Sequence, residues 1–273
     1  MREELIRLED VNRVFYVNNC DTIFDYLRGK GFQKKKKIVA VNNINFSIFK
    51  GEFVGLLGVN GAGKSTLIKM MTGIMIPSGG KVEVFGKNPF EHRLKNNYRI
   101  GAVFGQRCQL RWDIAPLESY KLLKEIYNIP TELYQQRLEE LVSVLKLETI
   151  LNQPVRTLSL GQKMRAELVG AFLHNPELLF LDEPTLGLDV ISKEAIIEFL
   201  KQCKEKRGTT IILTTHDLED AQRLCDRVIV IDKGEMVMDD AMENILQKKS
   251  ELKELFINLL KKDEENEKTT ENF

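Results

Sequence analysis

The sequence predicts an α/β fold in which parallel strands are covered by helices. Three observations lead there. Beyond Pro176, short apolar runs alternate with amphipathic segments: "ELLFLD", then Ile196 to Cys203, then "TTIILTT", then Leu218 to Cys225. Such alternation implies parallel strands joined by helical crossovers. Upstream, an apolar run ending at Leu57 enters a glycine-rich loop and then a helix start at "LIKMM". Finally, 273 residues of which 43% are apolar suffice to bury a sizeable core.

Taken in order, residues 5–57 hold short apolar runs separated by turns. Val39, Val41, Ile44, Phe46 and Ile48 recur at spacings near two, the pattern of a half-buried strand. Residues 18–37 read as a polar insertion ending in Lys34 to Lys37. Those lysines suit a solvated loop or, alternatively, contact with anionic lipid or a partner's acidic loop. From Pro116 to Leu147 the pattern is helical, with Leu138, Leu141, Val142 and Leu145 on one face. A further helix is expected from Gly161 to about His174, stopped by Asn175 and Pro176. "RVIVIDKGEMVMD" predicts a hairpin, and residues 246–273 predict a helix followed by a charged tail. There is no internal repeat.

Composition narrows the functional classes. Lys plus Arg and Asp plus Glu number 40 each, so no global field draws the chain to nucleic acid or to a membrane. No apolar run approaches the ~18 residues of a membrane span, and "MREELIRLED" lacks the apolar stretch of a secretory signal. Cys20, Cys108, Cys203 and Cys225 are scattered without metal or redox spacing, as expected of thiols in a reducing compartment.

The chemistry is concentrated in two stretches. "GLLGVNGAGKST" contains Gly58-x4-Gly63-Lys64-Ser65, the full phosphate-loop pattern between a strand and a helix. Its glycines let backbone N–H groups wrap a polyphosphate at a helix N-terminus. Asn60, Gly61, Gly63, Lys64, Ser65 and Thr66 are thus candidate nucleotide-binding residues, with Lys64 on the β and γ oxygens and Ser65 on Mg²⁺. In "LLFLDEP" the apolar run from Leu178 to Leu181 is a strand buried on both faces. Asp182 and Glu183 then emerge at its C-terminal end, where open α/β sheets place ligands. Asp182 suits a contact to Mg²⁺ and Glu183 a general base for an attacking water. The pairing points to hydrolysis of a nucleoside triphosphate.

Six ordered elements resemble the ATP-binding cassette (ABC) ATPases over about residues 5–240: Phe15, GVNGAGKS, Gln106, LSLGQ, LLFLDEPTLGLD and His216 in "LTTHD". The resemblance implies a P-loop cassette with a mostly parallel core sheet, an antiparallel β subdomain and an inserted α-helical subdomain. It implies one ATPase domain over 1–245, with 1–105 and 176–245 forming the core and β subdomain and 106–175 the helical subdomain. Phe15, or its neighbour Tyr16, would stack on adenine. Gln106, with Gln109 as competitor, would reach Mg²⁺ or the attacking water, and His216 would contact the γ-phosphate. Asp189 matches a loop that crosses to an opposing subunit. Ser159, Gly161 and Gln162 would cap the ATP of a second cassette, as homodimer or heterodimer. One position departs from the pattern: Leu160 stands where the family has its first glycine, a version that some ABC exporters share.

The expected activity is ATP hydrolysis, with ATP and Mg²⁺ as cofactors, at the cytoplasmic face of a membrane. "VFGQRCQLRWDIAPLESYKLL" resembles bacterial exporters whose permeases are separate multi-span proteins. Export is therefore expected over import, with docking between Gln106 and Tyr127 and the substrate chosen by the permease. The alternative is a soluble ABC ATPase acting on a cytosolic assembly.

Overall fold

The computed structural model describes residues 2–18, 35–105 and 108–247. Gln106, Cys20, most of the 18–37 insertion and the tail beyond 247 lie outside the described residues. Two sheets organise the chain. The first is antiparallel and three-stranded, with β1 (Glu4–Asn18) central between β2 (Lys35–Phe49) and β4 (Gly79–Val84). The second has six strands in the order β5-β6-β7-β3-β8-β9. These are β3 (Phe53–Leu57), β5 (Ile100–Phe104), β6 (Leu178–Asp182), β7 (Thr210–Thr215), β8 (Arg227–Asp232) and β9 (Glu235–Ala241). All neighbours from β5 to β8 are parallel, and only the edge strand β9 is antiparallel. The expected α/β class, with an antiparallel subdomain and a parallel-rich core, is thus observed.

Every residue of β3 and β7 is buried, as are Leu178 to Leu181 of β6, which explains why the central strands read as apolar runs without alternation. β8 and β9 form the predicted hairpin. Its two turn residues, Lys233 and Gly234, have φ of 48° and 83°, the double left-handed turn that matches strand twist. In β2 the near-two spacing skips a residue between Val41 and Ile44. Asn43 sits there at φ 51°, opposite a register shift in β1, and the bulge returns Ile44 to the buried face.

One expectation is corrected. Lys35 to Lys37 belong to β2 rather than to a loop, because ladder pairing continues through Asn18↔Lys35, Val17↔Lys36 and Tyr16↔Lys37. Their side chains remain exposed.

The helices follow in chain order: α1 (Lys64–Met71), α2 (Arg93–Asn97), α3 (Pro116–Ile126), α4 (Thr131–Val144), α5 (Leu160–Phe172), α6 (Val190–Arg207), α7 (Leu218–Leu224) and α8 (Met242–Gln247). The helical stretch expected from Pro116 to Leu147 is two helices, broken after Tyr127 where Asn128 turns with φ 52°. α3, α4 and α5 all fall between β5 and β6, hydrogen-bonded parallel neighbours with Ile100 beside Leu178. The helical insert is therefore an enlarged crossover. Tyr120, fully buried, ties it together by donating its hydroxyl proton to the Ala166 carbonyl at 2.8 Å.

Candidate nucleotide site

β3 leads directly into the phosphate loop, and α1 begins at Lys64. The tight backbone explains the glycines. Gly63 has φ 110°, and a Cβ there would lie 2.5 Å from the Ala40 carbonyl oxygen. At Gly58 a Cβ would meet the Ile231 carbonyl oxygen at 2.2 Å. A cavity of about 700 Å³ opens over this loop, within the range of small-molecule sites. Asn60, Gly61, Gly63, Lys64, Ser65 and Thr66 all line it, and so do Asp182 and Glu183. Lys69, Ile74, Phe104 and Leu186 complete much of the wall. Phe104 and Leu186 fall within the quoted VFGQ and LLFLDEPTLGLD stretches without being singled out there, and no motif marks Lys69 or Ile74.

The polar contacts are specific. Lys64, only 4% exposed, donates to the Gly58 carbonyl at 2.7 Å and to that of Val59 at 3.0 Å. Its ammonium lies 3.6 Å from Glu183 Oε1. The Ser65 hydroxyl donates to Asp182 Oδ1 at 3.0 Å. Glu183 Oε1 also lies 3.6 Å from His216 Nδ1, an atom with no hydrogen-bond partner among the described residues. Glu183 has φ 54°, a left-handed backbone rarely adopted by a side chain of its size. Phosphate-loop lysine and strand-end carboxylates thus converge within one cleft, and Glu183 links them to His216 in the adjoining pocket.

Other candidates stand apart. Phe15 is half-buried beneath the Arg13 guanidinium, 4.7 Å from ring centroid to Cζ, and does not line the cavity. Its β2 partner is Ile38, two residues from the cavity-lining Ala40. Tyr16 is exposed. Gln109, the competitor of Gln106, has its side-chain amide committed to the Ala102 carbonyl at 2.7 Å. The backbone N–H groups of Gln109 and Leu110 both donate to Glu167 Oε1, whose carboxyl is raised above the ordinary range by burial.

Ser159, Gly161 and Gln162 form the start of α5 and do not line the cavity. Ser159 and Gln162 make a reciprocal capping box: Ser159 Oγ accepts from the Gln162 N–H at 3.2 Å, and Gln162 Oε1 accepts from the Ser159 N–H at 2.9 Å. Gly161 is buried against α6, where a Cβ would lie 2.2 Å from Ser192 Oγ. Leu160 is half exposed, its Cδ2 3.4 Å from where a Cβ on Gly187 would lie, and Leu186, Val190 and Ile191 in the segment around Gly187 are exposed as well. Asp189 caps α6 by accepting the Ser192 N–H at 2.9 Å, and hydrogen bonds from Ser192 hold its carboxyl below the usual range.

The loop, the strand-end carboxylates and the helical insert between neighbouring core strands define a P-loop ATPase of the cassette type. The chain belongs to the ABC transporter family, whose domain matches residues 41–186, and it is an ATP-binding, ATP-hydrolysing cassette of that family. It is 34% identical to the ABC transporter ATP-binding protein NatA of Bacillus subtilis, over 79% of this chain and 88% of that one. It is 39% identical to the Nod factor export ATP-binding protein I of Rhizobium leguminosarum, over 74% of this chain but 64% of the relative's length. Its fold matches a dimeric ATP-binding cassette solved in a post-hydrolysis state with ADP and Pi, at a TM-score of 0.73 and 27% identity. That match covers 87% of this chain and 99% of the other. The fold also matches cbiO1 of Clostridium perfringens, part of the ABC transporter complex cbiONQ, at a TM-score of 0.73 and 26% identity. This second match covers 95% of this chain and 97% of that one.

Proposed function

We propose that the chain drives export through a separate multi-span permease, working as one of two cassettes that close on ATP and part after hydrolysis. The observation that carries this reading is the division of the machinery. The phosphate loop and both carboxylates share one cleft, and His216 stands 3.6 Å from Glu183 in an adjoining pocket that Glu183 also lines, while Ser159 and Gly161 lie outside both walls. A serine hydroxyl at a helix N-terminus is an anion-binding group, and a second cassette can bring its own phosphates to it. Exposed Leu160, Leu186, Val190 and Ile191 supply apolar surface around the same face. Asp189 heads the helix that presents Val190 and Ile191.

Within the cleft, Lys64 binds and orients the polyphosphate, exchanging its loop carbonyls for phosphate oxygens. Glu183, relieved of Lys64 as its counter-ion, takes the proton of the attacking water, and His216 steadies the γ-phosphate beside it. The Ser65 hydroxyl and Asp182 carboxylate fit Mg²⁺, a hard cation that takes oxygen ligands and draws the remainder from water and substrate phosphates. Bound there, Mg²⁺ would neutralise charge on the phosphates. Gln106 is proposed to contribute beside them, and Phe15 to stack on the base.

The permease would dock on the helical insert at the cytoplasmic face of the membrane. A groove of about 400 Å³ runs between the core and α3 and α5, flanked by exposed Leu122, Ile126 and Tyr98. The Nod factor export relative supports this arrangement; no described helix is long and apolar enough to cross a membrane.

Two measurements test the reading. Glu183→Gln should bind ATP, lose at least about a hundredfold in turnover, and accumulate a dimer on gel filtration with ATP. Wild-type turnover in that variant would remove Glu183 from the base role. Purification of the wild-type chain from detergent-solubilised membranes should recover a multi-span partner. Recovery only in a cytosolic complex would favour the assembly-ATPase alternative.

A further inference from the structure

We propose that Thr214 is a positioning residue for hydrolysis, whose single hydroxyl holds the Asp182 carboxylate and the Glu183 backbone in fixed relation. The proposal rests on the reading of Asp182 as cation ligand and Glu183 as base. β6 and β7 are parallel with Asp182 directly beside Thr214, so the two side chains stand on the same face at the C-terminal edge of the sheet. The Thr214 hydroxyl donates to Asp182 Oδ1 at 2.6 Å and accepts the Glu183 N–H at 3.0 Å. The same N–H reaches the Thr214 carbonyl at 3.1 Å. Both functions of the hydroxyl are therefore used, and Thr214 is fully buried.

Each contact has a separate consequence. Glu183 sits at φ 54°, a conformation that persists only where its surroundings hold it. Its N–H is anchored twice to Thr214, and this turns the carboxylate toward Lys64 and His216, each 3.6 Å from Oε1. Asp182 Oδ1 is shared between Ser65 and Thr214. Ser65 is the group a cation would engage, so Thr214 is the contact that keeps the carboxylate oriented independently of ligand. A valine would fill the same space in the strand and leave Oδ1 with Ser65 alone.

The test compares wild type, Thr214→Val and Thr214→Ser in the full chain, with Asp182→Asn and Glu183→Gln in parallel. Steady-state ATPase assays give kcat, KM for ATP and the Mg²⁺ concentration at half-saturation. Binding of a fluorescent ATP analogue across a Mg²⁺ titration, and thermal unfolding, provide readouts independent of turnover. For T214V we expect a thermal midpoint near wild type and a KM within about twofold. Its kcat should fall roughly ten- to thirtyfold, and Mg²⁺ half-saturation should rise severalfold in both binding and activity. T214S should restore most of both. Unchanged kcat and Mg²⁺ dependence in T214V would overturn the proposal. So would T214S impaired as much as T214V, which would trace the effect to the methyl group. Should T214V fail to fold, T214S decides alone: wild-type Mg²⁺ half-saturation supports the hydroxyl's role and a severalfold rise overturns it. If Asp182→Asn and Glu183→Gln hydrolyse ATP normally, the underlying reading of the site fails instead. If they are inactive while T214V is normal, only the role of Thr214 falls.

Discussion

Gly61 and Gly63 stand two positions apart in the same loop and carry different constraints. Both have positive φ, 79° and 110°, so an L side chain at either is strained. A Cβ on Gly61 would meet nothing within 4 Å, whereas one on Gly63 would strike the Ala40 carbonyl at 2.5 Å. Gly61→Ala should therefore cost about 1 kcal/mol, and Gly63→Ala about 3 kcal/mol or more. Urea midpoints of the two variants check the difference; equal midpoints would show that conformation alone governs the loop. Glu183 shows the converse case. Its residue type followed from the neighbouring motif, but its left-handed backbone has no signature in the sequence. Thr214 was equally hidden, because a threonine within "TTIILTT" reads as ordinary strand until the β6–β7 register puts it beside Asp182.

Helix α5 carries two kinds of surface at its first turn. Ser159 and Leu160 face outward, while Gly161 meets α6 at Ser192. Alanine is the better helix former by about 1 kcal/mol. Even so, Gly161→Ala should destabilise the protein, because overpacking by a methyl costs about 1–3 kcal/mol and the added Cβ would sit 2.5 Å from Ser192 Cβ. Adding Ser192→Gly to that variant should cost less than adding it to wild type, as a double-mutant cycle in urea would show. Strict additivity would refute the contact. Leu160→Gly, at a half-exposed position, should stay within about 1 kcal/mol of wild type. At this scale the sequence was most informative where a motif or turn imposed a pattern. The Lys233-Gly234 turn and the strand ending in Asp182 were both readable, whereas the Ser159–Gln162 capping box emerged only from the structure. The strand β4 and helix α2 were not, since neither has a sustained apolar period and both are held by tertiary pairing.

Across the whole molecule, His174 marks the junction of the helical insert with the core sheet. Its ring stacks on Tyr127 at 4.0 Å, and Nε2 lies 3.0 Å from the Ile100 carbonyl oxygen in β5. Burial pushes its pKa down to about 4. An unfolded histidine titrates near 6.5, so between about pH 6.5 and 4 the unfolded chain binds a proton that the folded chain does not. The stability associated with neutral His174 is complete above that window and is lost as the pH falls through it, by about 2 kcal/mol at pH 5. Denaturation at pH 7.5 and pH 5 should show a smaller acid loss in His174→Gln than in wild type. An identical loss would assign the acid sensitivity to other groups.

The placement of this insert has a practical corollary for engineering. The chain leaves the core at Phe104 and returns at Leu178, and those positions lie at opposite ends of two adjacent five-residue strands. A replacement module would need only to span one strand length, roughly 17 Å, in the same direction. It would also have to supply a donor for the Ala102 carbonyl of β5, as the Gln109 side-chain amide does now. The portion proposed to meet a permease can thus be exchanged between cassettes without altering the order of a single core strand.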